Sequence, residues 1–214
     1  MSTGNAGGYF EFFPEELIPS GIQLALDAWA KLPAAHKSGK EDFITGKFAA
    51  AMKREKKARR LSFSIHFQAI PLAADGPVAA RIDFKFLAGF DEDAYFAFEA
   101  KRLRIPRKSK IDLNTRAYVG AEGMERFVTG KYAPGQFHGA MLGYVMDGDI
   151  SSAMSAVQAL VNSSRQKLRV VADAGWEKSR FVPSHKNIRQ TRHQRGLATS
   201  GNESLTLQHI FLTA

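Results

Sequence analysis

The residues best suited to chemistry are Asp83, Glu99 and Lys101, on two neighbouring segments of one stretch, RIDFKFLAGFDEDAYFAFEAKRL, residues 81–103. The stretch reads as two strands joined by an acidic turn centred near Asp91. In the first, Ile82, Phe84 and Phe86 alternate with Arg81, Asp83 and Lys85; in the second, Phe96, Phe98 and Ala100 alternate with Tyr95, Glu99 and Lys101. Successive strand side chains point to opposite faces, so Glu99 and Lys101 share a wet, polar face and the phenylalanines take the other. A turn near Asp91 puts Asp83 opposite or close to Glu99. Two facing carboxylates destabilise a strand pair, so a positive group belongs between them: a divalent metal or Lys101. Carboxylates are hard oxygen ligands suited to Mg²⁺ or Mn²⁺. Such an ion can lower the pKa of a bound water and stabilise the leaving oxygen of a phosphodiester. Lys101 could orient the attacking water or stabilise charge building on phosphorus. The alternative is a surface ion-pair cluster on a solvated sheet face.

Glu41 is a fourth candidate. A helix predicted over about Gly39–Arg60 carries Ile44, Phe48 and Met52 three, seven and eleven residues beyond it, on the same stripe. An acid on a buried face needs a reason. Either Ser38-Gly39-Lys40-Glu41 is a capping box, with Glu41 bonded back to the Ser38 backbone, or Glu41 points inward to meet Asp83 and Glu99.

Rival chemistries lack residues. There is no cysteine, which removes disulfides, thiolate metal sites and a thiol nucleophile. The six histidines (His36, His66, His138, His185, His193 and His209) lack metal-ligand spacing. No GxSxG, Walker A or GxGxxG motif occurs. Asp91-Glu92-Asp93 and Asp147-Gly148-Asp149 read as turns. His209, on the apolar face of the last strand, reads as a core histidine bonded to backbone.

The formal charge is +9 and the pI about 9.8. Basic residues cluster at Lys47–Arg60, Lys101–Lys110 and Arg165–Arg195. Such a surface attracts polyanions in a salt-dependent way, or is simply a solvated positive face. Arg102, Arg104, Arg126 and Lys131 are the candidate phosphate contacts.

The elements that must position these groups follow in order. A helix starts at Pro14, is interrupted at Pro19-Ser20-Gly21 and resumes over Ile22–Leu32. After the helix bearing Glu41, Leu61–Ile70 alternates as a strand with one polar face, and Pro71–Pro77 is a loop. Beyond the hairpin, Pro106 keeps a basic loop from being helical. Tyr118–Tyr132 is a helix weakened by Gly120 and Gly123. Gly139–Met146 has the apolar run of a central strand. Ile150–Gln166 is a helix capped by Asp149 or Ser151. Lys167–Gly201 is poorly patterned and mostly loop, with room for a short strand, and Leu205–Leu212 is the last strand. The order α–β–β–β–α–β–α–β defines a mixed α/β fold, its central sheet antiparallel at the start and flanked by helices.

With no low-complexity linker or repeat, residues 1–214 are expected to form a single domain. Residues 1–8 are a flexible tail, about 40–146 the core, and 165–201 a basic C-terminal extension before the final strand at 205–212. No apolar run is long enough to span a membrane and the first residues do not form a secretory signal. A cytoplasmic location without membrane association is expected.

Ile82-Asp83 in one strand, Phe98-Glu99-Ala100-Lys101 in the next and a preceding helix carrying Glu41 resemble the PD-(D/E)XK, or restriction-endonuclease-like, nuclease superfamily. The likeness covers roughly Lys40–Met146, with Ile82 where the family often has proline. EAKRL, EGMERFVTGKYA and GAMLGYVMDGD also look like small nuclease-like proteins of bacterial antiviral defence and mobile-element neighbourhoods. The resemblance implies a restriction-endonuclease-like core and Mg²⁺-dependent (or Mn²⁺-dependent) phosphodiester hydrolysis in DNA, less readily RNA. It implies Asp83, Glu99 and the Ala100 carbonyl as metal ligands, Lys101 as a catalytic group and Glu41 assisting. A homodimer or a partner protein of a defence system fits the same picture. The alternative is a catalytically silent nucleic-acid-binding or assembly subunit that keeps the fold.

Overall fold

The computed structural model describes residues 12–69, 81–89, 94–195 and 204–214. The expected tail at 1–8, the loop at 71–77, the acidic turn at 91–93 and the loop at 196–201 lie outside the described residues.

A 3₁₀ turn, Glu15–Leu17, leads into α1 (Ile18–Ala30), followed by α2 (Glu41–Arg59). Three strands come next: β1 (Phe63–Ala69), β2 (Ile82–Ala88) and β3 (Tyr95–Leu103). A small hairpin, β4 (Ile105–Pro106) and β5 (Ile111–Asp112), precedes two short helices, α3 (Thr115–Val119) and α4 (Met124–Val128). Then come β6 (His138–Val145), α5 (Ile150–Ser163), β7 (Glu177–Lys178), β8 (Ile188–Gln194) and β9 (Ser204–Thr213). Seven strands form one sheet in the order β1-β2-β3-β6-β9-β8-β7. β3, β6 and β9 run parallel to one another, and every other neighbouring pair is antiparallel. This is the expected mixed α+β architecture, with an antiparallel start and helices on both faces.

Each face buries its own core. On one side α1 and α2 pack Ile22, Trp29, Ile44, Phe48 and Met52 against Phe84, Phe86, Phe96 and Phe98. Rings interlock there: Phe63 stacks on Phe86 at 4.9 Å, Phe86 meets Phe98 at 4.6 Å and Trp29 stacks on Tyr144 at 5.0 Å. Each fully buried ring contributes roughly 1.5–3 kcal/mol by leaving water. On the other side α3, α4 and α5 bring Tyr118, Phe127 and Val157 onto Ala97, Met141, Leu207 and Phe211. β6 is buried along its whole length, as its apolar run implies. A Cβ on Gly139 would meet the Phe127 ring at 2.7 Å, so this close approach of α4 to the sheet requires glycine.

Several elements differ from the sequence expectation. Pro19 does not interrupt a helix; it occupies the first turn of α1, where its missing N–H costs nothing. The helix expected over Tyr118–Tyr132 is two short ones. The chain reverses at Gly120–Gly123, and a Cβ on Gly123 would lie 2.0 Å from the Tyr118 carbonyl oxygen. α5 ends at Ser163, with Asp149 as its cap, accepting from Ser152 N–H. The extension at 165–201 is mostly turn and loop within its described part, as expected, but its strand β8 is longer than expected and pairs with seven consecutive residues of β9.

β8 escapes a hydrophobic pattern because, Ile188 apart, its buried residues are polar. Thr191, His193 and His209 are almost fully buried and joined in a chain. His193 Nδ1 lies 2.7 Å from the Leu168 carbonyl, which can only accept, so Nδ1 carries the proton. His193 Nε2 therefore accepts from the Thr191 hydroxyl at 2.6 Å, and that hydroxyl accepts from His209 Nε2–H at 2.8 Å. His209 Nδ1 is left to accept from Tyr118 Oη–H at 3.2 Å. His209 is thus a core histidine, but bonded to hydroxyls rather than to backbone as expected.

Burial holds both imidazoles neutral: His193 is lowered to about 4, and His209 lies well below its usual value. The unfolded chain binds these protons below about pH 6.5 while the folded chain does not, so stability falls as pH drops from about 6.5 towards 4. The slope is up to roughly 1.4 kcal/mol per pH unit for each histidine. Thr191→Val removes the central hydroxyl and strands both rings. Denaturant unfolding at pH 7 should show a loss of about 1–3 kcal/mol; an unchanged midpoint would refute the chain.

Candidate functional site

β2 and β3 pair as an antiparallel ladder from Leu87↔Tyr95 to Phe84↔Phe98, and there the pairing stops. One step further the register places Asp83 opposite Glu99, as the hairpin phase implies. Beyond it β2 peels away, still paired with β1 at Ala69↔Ile82. The parting strands leave β3 with backbone donors that need partners. Two carboxylates take them. Asp83 Oδ2 accepts from Ala100 N at 2.8 Å, and Glu41 Oε2 accepts from Arg102 N at 2.9 Å.

The capping-box reading of Glu41 does not hold. The cap position of α2 is Lys40, without a side-chain cap bond, and the Ser38 hydroxyl turns back to the Ala35 carbonyl. Glu41 instead leaves its helix for β3. Its other oxygen lies 3.4 Å from Lys101 Nζ. Arg102 reinforces the junction by donating from Nη1 to the Gly39 carbonyl at 2.8 Å.

Glu99 and Lys101 do share a face of β3, but that face is not wet. It carries Tyr95, Ala97 and Leu103 into the second core, and Glu99 is only 3 % exposed and Lys101 9 %. The expected solvated face is closed because α3 and α4, with Tyr118, Met124 and Phe127, pack over it. Lys101 Nζ donates to Glu99 Oε1 at 2.5 Å. Glu99 Oε2 is buried without a hydrogen-bond partner.

The electrostatics follow from this crowding. Burial, then the nearby Asp83 charge, raise Glu99 to about 8 against the pull of Lys101 and Arg126. Burial raises Asp83 to about 6, although the Ala100 amide and Lys101 pull it down. Burial works against the Lys101 charge, but Glu99 and Glu41 outweigh it and the ammonium is held above its ordinary range. Lys101 is therefore a fixed cation at neutral pH.

The other basic candidates are distributed differently. Arg126 donates to Tyr132 Oη and Glu122, and Tyr132 Oη donates to the Arg81 carbonyl at 2.6 Å. This links α4 to the start of β2, and both side chains feel the charge of Glu99. Tyr132 has no pattern in the sequence to mark it, because the break at Gly120–Gly123 hides which residues turn inward. Arg104 is bound by Asp147 at 2.8 Å and Asp149 at 3.2 Å, so it clasps two segments. Lys131 is exposed on a bend after α4.

No protein-family model matches the chain, and neither a curated protein nor a solved structure matches it. Among the described residues no three carboxylate or imidazole groups gather to hold a metal ion. The chain's own offer is two carboxylates, Asp83 and Glu99. That set fits a hard divalent ion such as Mg²⁺, which keeps several waters and binds through one or two carboxylates. The fit rests on Glu99 Oε2: a buried, unpartnered carboxylate oxygen beside a second acid is costly unless something positive meets it.

Mn²⁺ at about ten times its dissociation constant should stabilise the protein by about 1.4 kcal/mol. In a thermal melt this is a rise of roughly 3–6 °C. Glu99→Gln should abolish the rise. In EDTA at pH 8 that variant should melt no lower than the parent, having lost a buried like charge. An equal Mn²⁺ shift in parent and variant would exclude Glu99 as a ligand.

Proposed function

We propose that this protein is a metal-dependent nuclease that hydrolyses phosphodiester bonds in DNA, built on a restriction-endonuclease-like core. The observation that carries the reading is the buried Glu99 carboxylate, one oxygen on Lys101 and the other unpartnered, beside Asp83. The arrangement around it supports the same reading. A helix bearing Glu41 precedes an antiparallel meander, β1-β2-β3, and a helical crossover leads to the parallel strand β6. That order is the one the resemblance implies.

In this reading Asp83, Glu99 and the Ala100 carbonyl hold Mg²⁺ or Mn²⁺. When bound, the ion supplies a Lewis acid and a more acidic water. Lys101 presents a permanently charged ammonium to the scissile phosphate, offsetting the negative charge that grows on its oxygens. Its protonation excludes it as the base that accepts a proton from water. Glu41 acts through Lys101, fixing its ammonium between two carboxylates. The hydrogen bond from Ala100 N pins Asp83, so neither acid needs to reorganise when a substrate arrives.

Purified protein should cut plasmid or linear DNA with Mg²⁺ or Mn²⁺ and not in EDTA. Lys101→Ala and Glu99→Ala should each lower the rate by about 10²–10⁴-fold while leaving the fold intact by circular dichroism. Cleavage in EDTA, or full activity in both variants, would overturn the mechanism. Binding of DNA without cleavage under any metal would favour the silent binding subunit instead.

A further inference from the structure

The hairpin β4–β5 follows the site strand directly and has no part in the chemistry proposed above. Ile105↔Asp112 and Pro106↔Ile111 are its paired residues. Arg107 N donates to the Lys110 carbonyl at 2.9 Å, closing a two-residue loop, Lys108-Ser109. Its base is anchored three ways. Arg104 N donates to the Leu113 carbonyl at 3.3 Å. The Arg104 guanidinium is held by Asp147 and Asp149 from the β6–α5 turn. Asn114 Nδ2 donates to the Arg102 carbonyl at 2.8 Å. Beyond this clasp the ribbon is open to solvent: every residue from Pro106 to Ile111 is exposed.

The exposed part has two chemistries. Arg107, Lys108 and Lys110 are cations, and Asp112 is the one acid of the hairpin, paired with Arg107 at 3.3 Å. Pro106 and Ile111 face each other across the ribbon, and Ile111 and Leu113 are 39 % and 43 % exposed. Apolar side chains on a charged, projecting ribbon contribute nothing to the core. They suit a partner that offers phosphates and an apolar sugar or base edge together.

We propose that this hairpin is a DNA-contacting arm that enters a groove of duplex DNA and seats the backbone over the Asp83–Glu99 site. The inference rests on the nuclease reading for its destination but not for its own chemistry. From Arg104 to Arg107 the arm extends about 10 Å. A two-stranded ribbon fits the major groove of B-form DNA, roughly 12 Å wide. The deep, narrow major groove of A-form RNA does not admit it. The arm follows Lys101-Arg102 after only Leu103 and the bend at Arg104, so a phosphate gripped by Arg107 or Lys110 lies close in the chain to the site strand. The clasp by Arg104 stiffens the arm before DNA arrives and lowers the ordering cost of binding.

The test is a triple variant, Arg107→Ala/Lys108→Ala/Lys110→Ala, compared with parent and with Ile111→Ser. Binding to duplex DNA and to duplex RNA of the same sequence is measured in EDTA across salt concentrations. The arm variant should bind DNA about 10–100-fold more weakly, with the log–log salt slope reduced by about 2–3. Ile111→Ser should weaken DNA binding without changing the slope. Both variants keep the parent melting temperature, because the substituted side chains are exposed. Parent-like affinity and slope in the arm variant would overturn the arm, even where the parent cleaves DNA. Arm-dependent binding with no cleavage in any metal would overturn the nuclease reading and leave the arm standing. Equal arm-dependent binding to RNA duplex would overturn the groove assignment.

Discussion

Everything at this site depends on the place where β2 leaves β3. An antiparallel ladder satisfies backbone donors automatically, and its end exposes them. Ala100 and Arg102 meet carboxylates there instead of carbonyls. That substitution draws two acids, from different elements, to the edge of a strand that already carries a third. A hairpin paired for two more residues would bury the same amides with neutral carbonyls and have no use for Asp83 or Glu41. The fork is thus a local loss of sheet structure converted into a concentration of negative charge.

Concentrated charge is expensive in a core, and the chain compensates only in part. Lys101 serves Glu99 and Glu41 together, yet one Glu99 oxygen stays bare. A purely structural ion pair reaches its best energy when every lone pair is met. An incomplete one leaves a buried acid that its partners do not fully compensate. The raised pKa values of Glu99 and Asp83 express the same deficit: burial outweighs the partial compensation by Lys101 and by the Ala100 amide.

How far the sequence revealed this depends on the kind of order involved. The alternation of Phe84 and Phe86, and of Phe96 and Phe98, was enough to phase Asp83 against Glu99, because hydrophobic periodicity of two is a one-dimensional signal. The run at β6 was legible for the same reason. What stayed hidden was order made by long-range hydrogen bonds. β8 looks like loop because its inward residues are Thr191 and His193, satisfied by His209 and by the Leu168 carbonyl rather than by apolar neighbours. The polar face of β3 looked wet because nothing in Tyr118–Tyr132 discloses that the chain breaks at Gly123 and folds over Glu99. Glu41 had two readings of equal quality, and only the distance to Arg102 N separates them.

The two strands that flank β6 show why the site can carry such a deficit. Met141 stands beside Glu99 in the parallel register, and beside His209 on its other side. On that far side the polar groups are met in series, each donor matched by one acceptor from Tyr118 to Leu168, with both rings neutral. On the near side the acids outnumber their cation. The same helix, α3, supplies Tyr118 to the satisfied chain and covers the unsatisfied site. A completed neutral network therefore anchors the wall against which the charged one is held, and the electrostatic cost at Glu99 is carried by the surrounding packing and hydrogen bonds. This separation lets the acids stay fixed in an unfavourable arrangement without the sheet relaxing to relieve it.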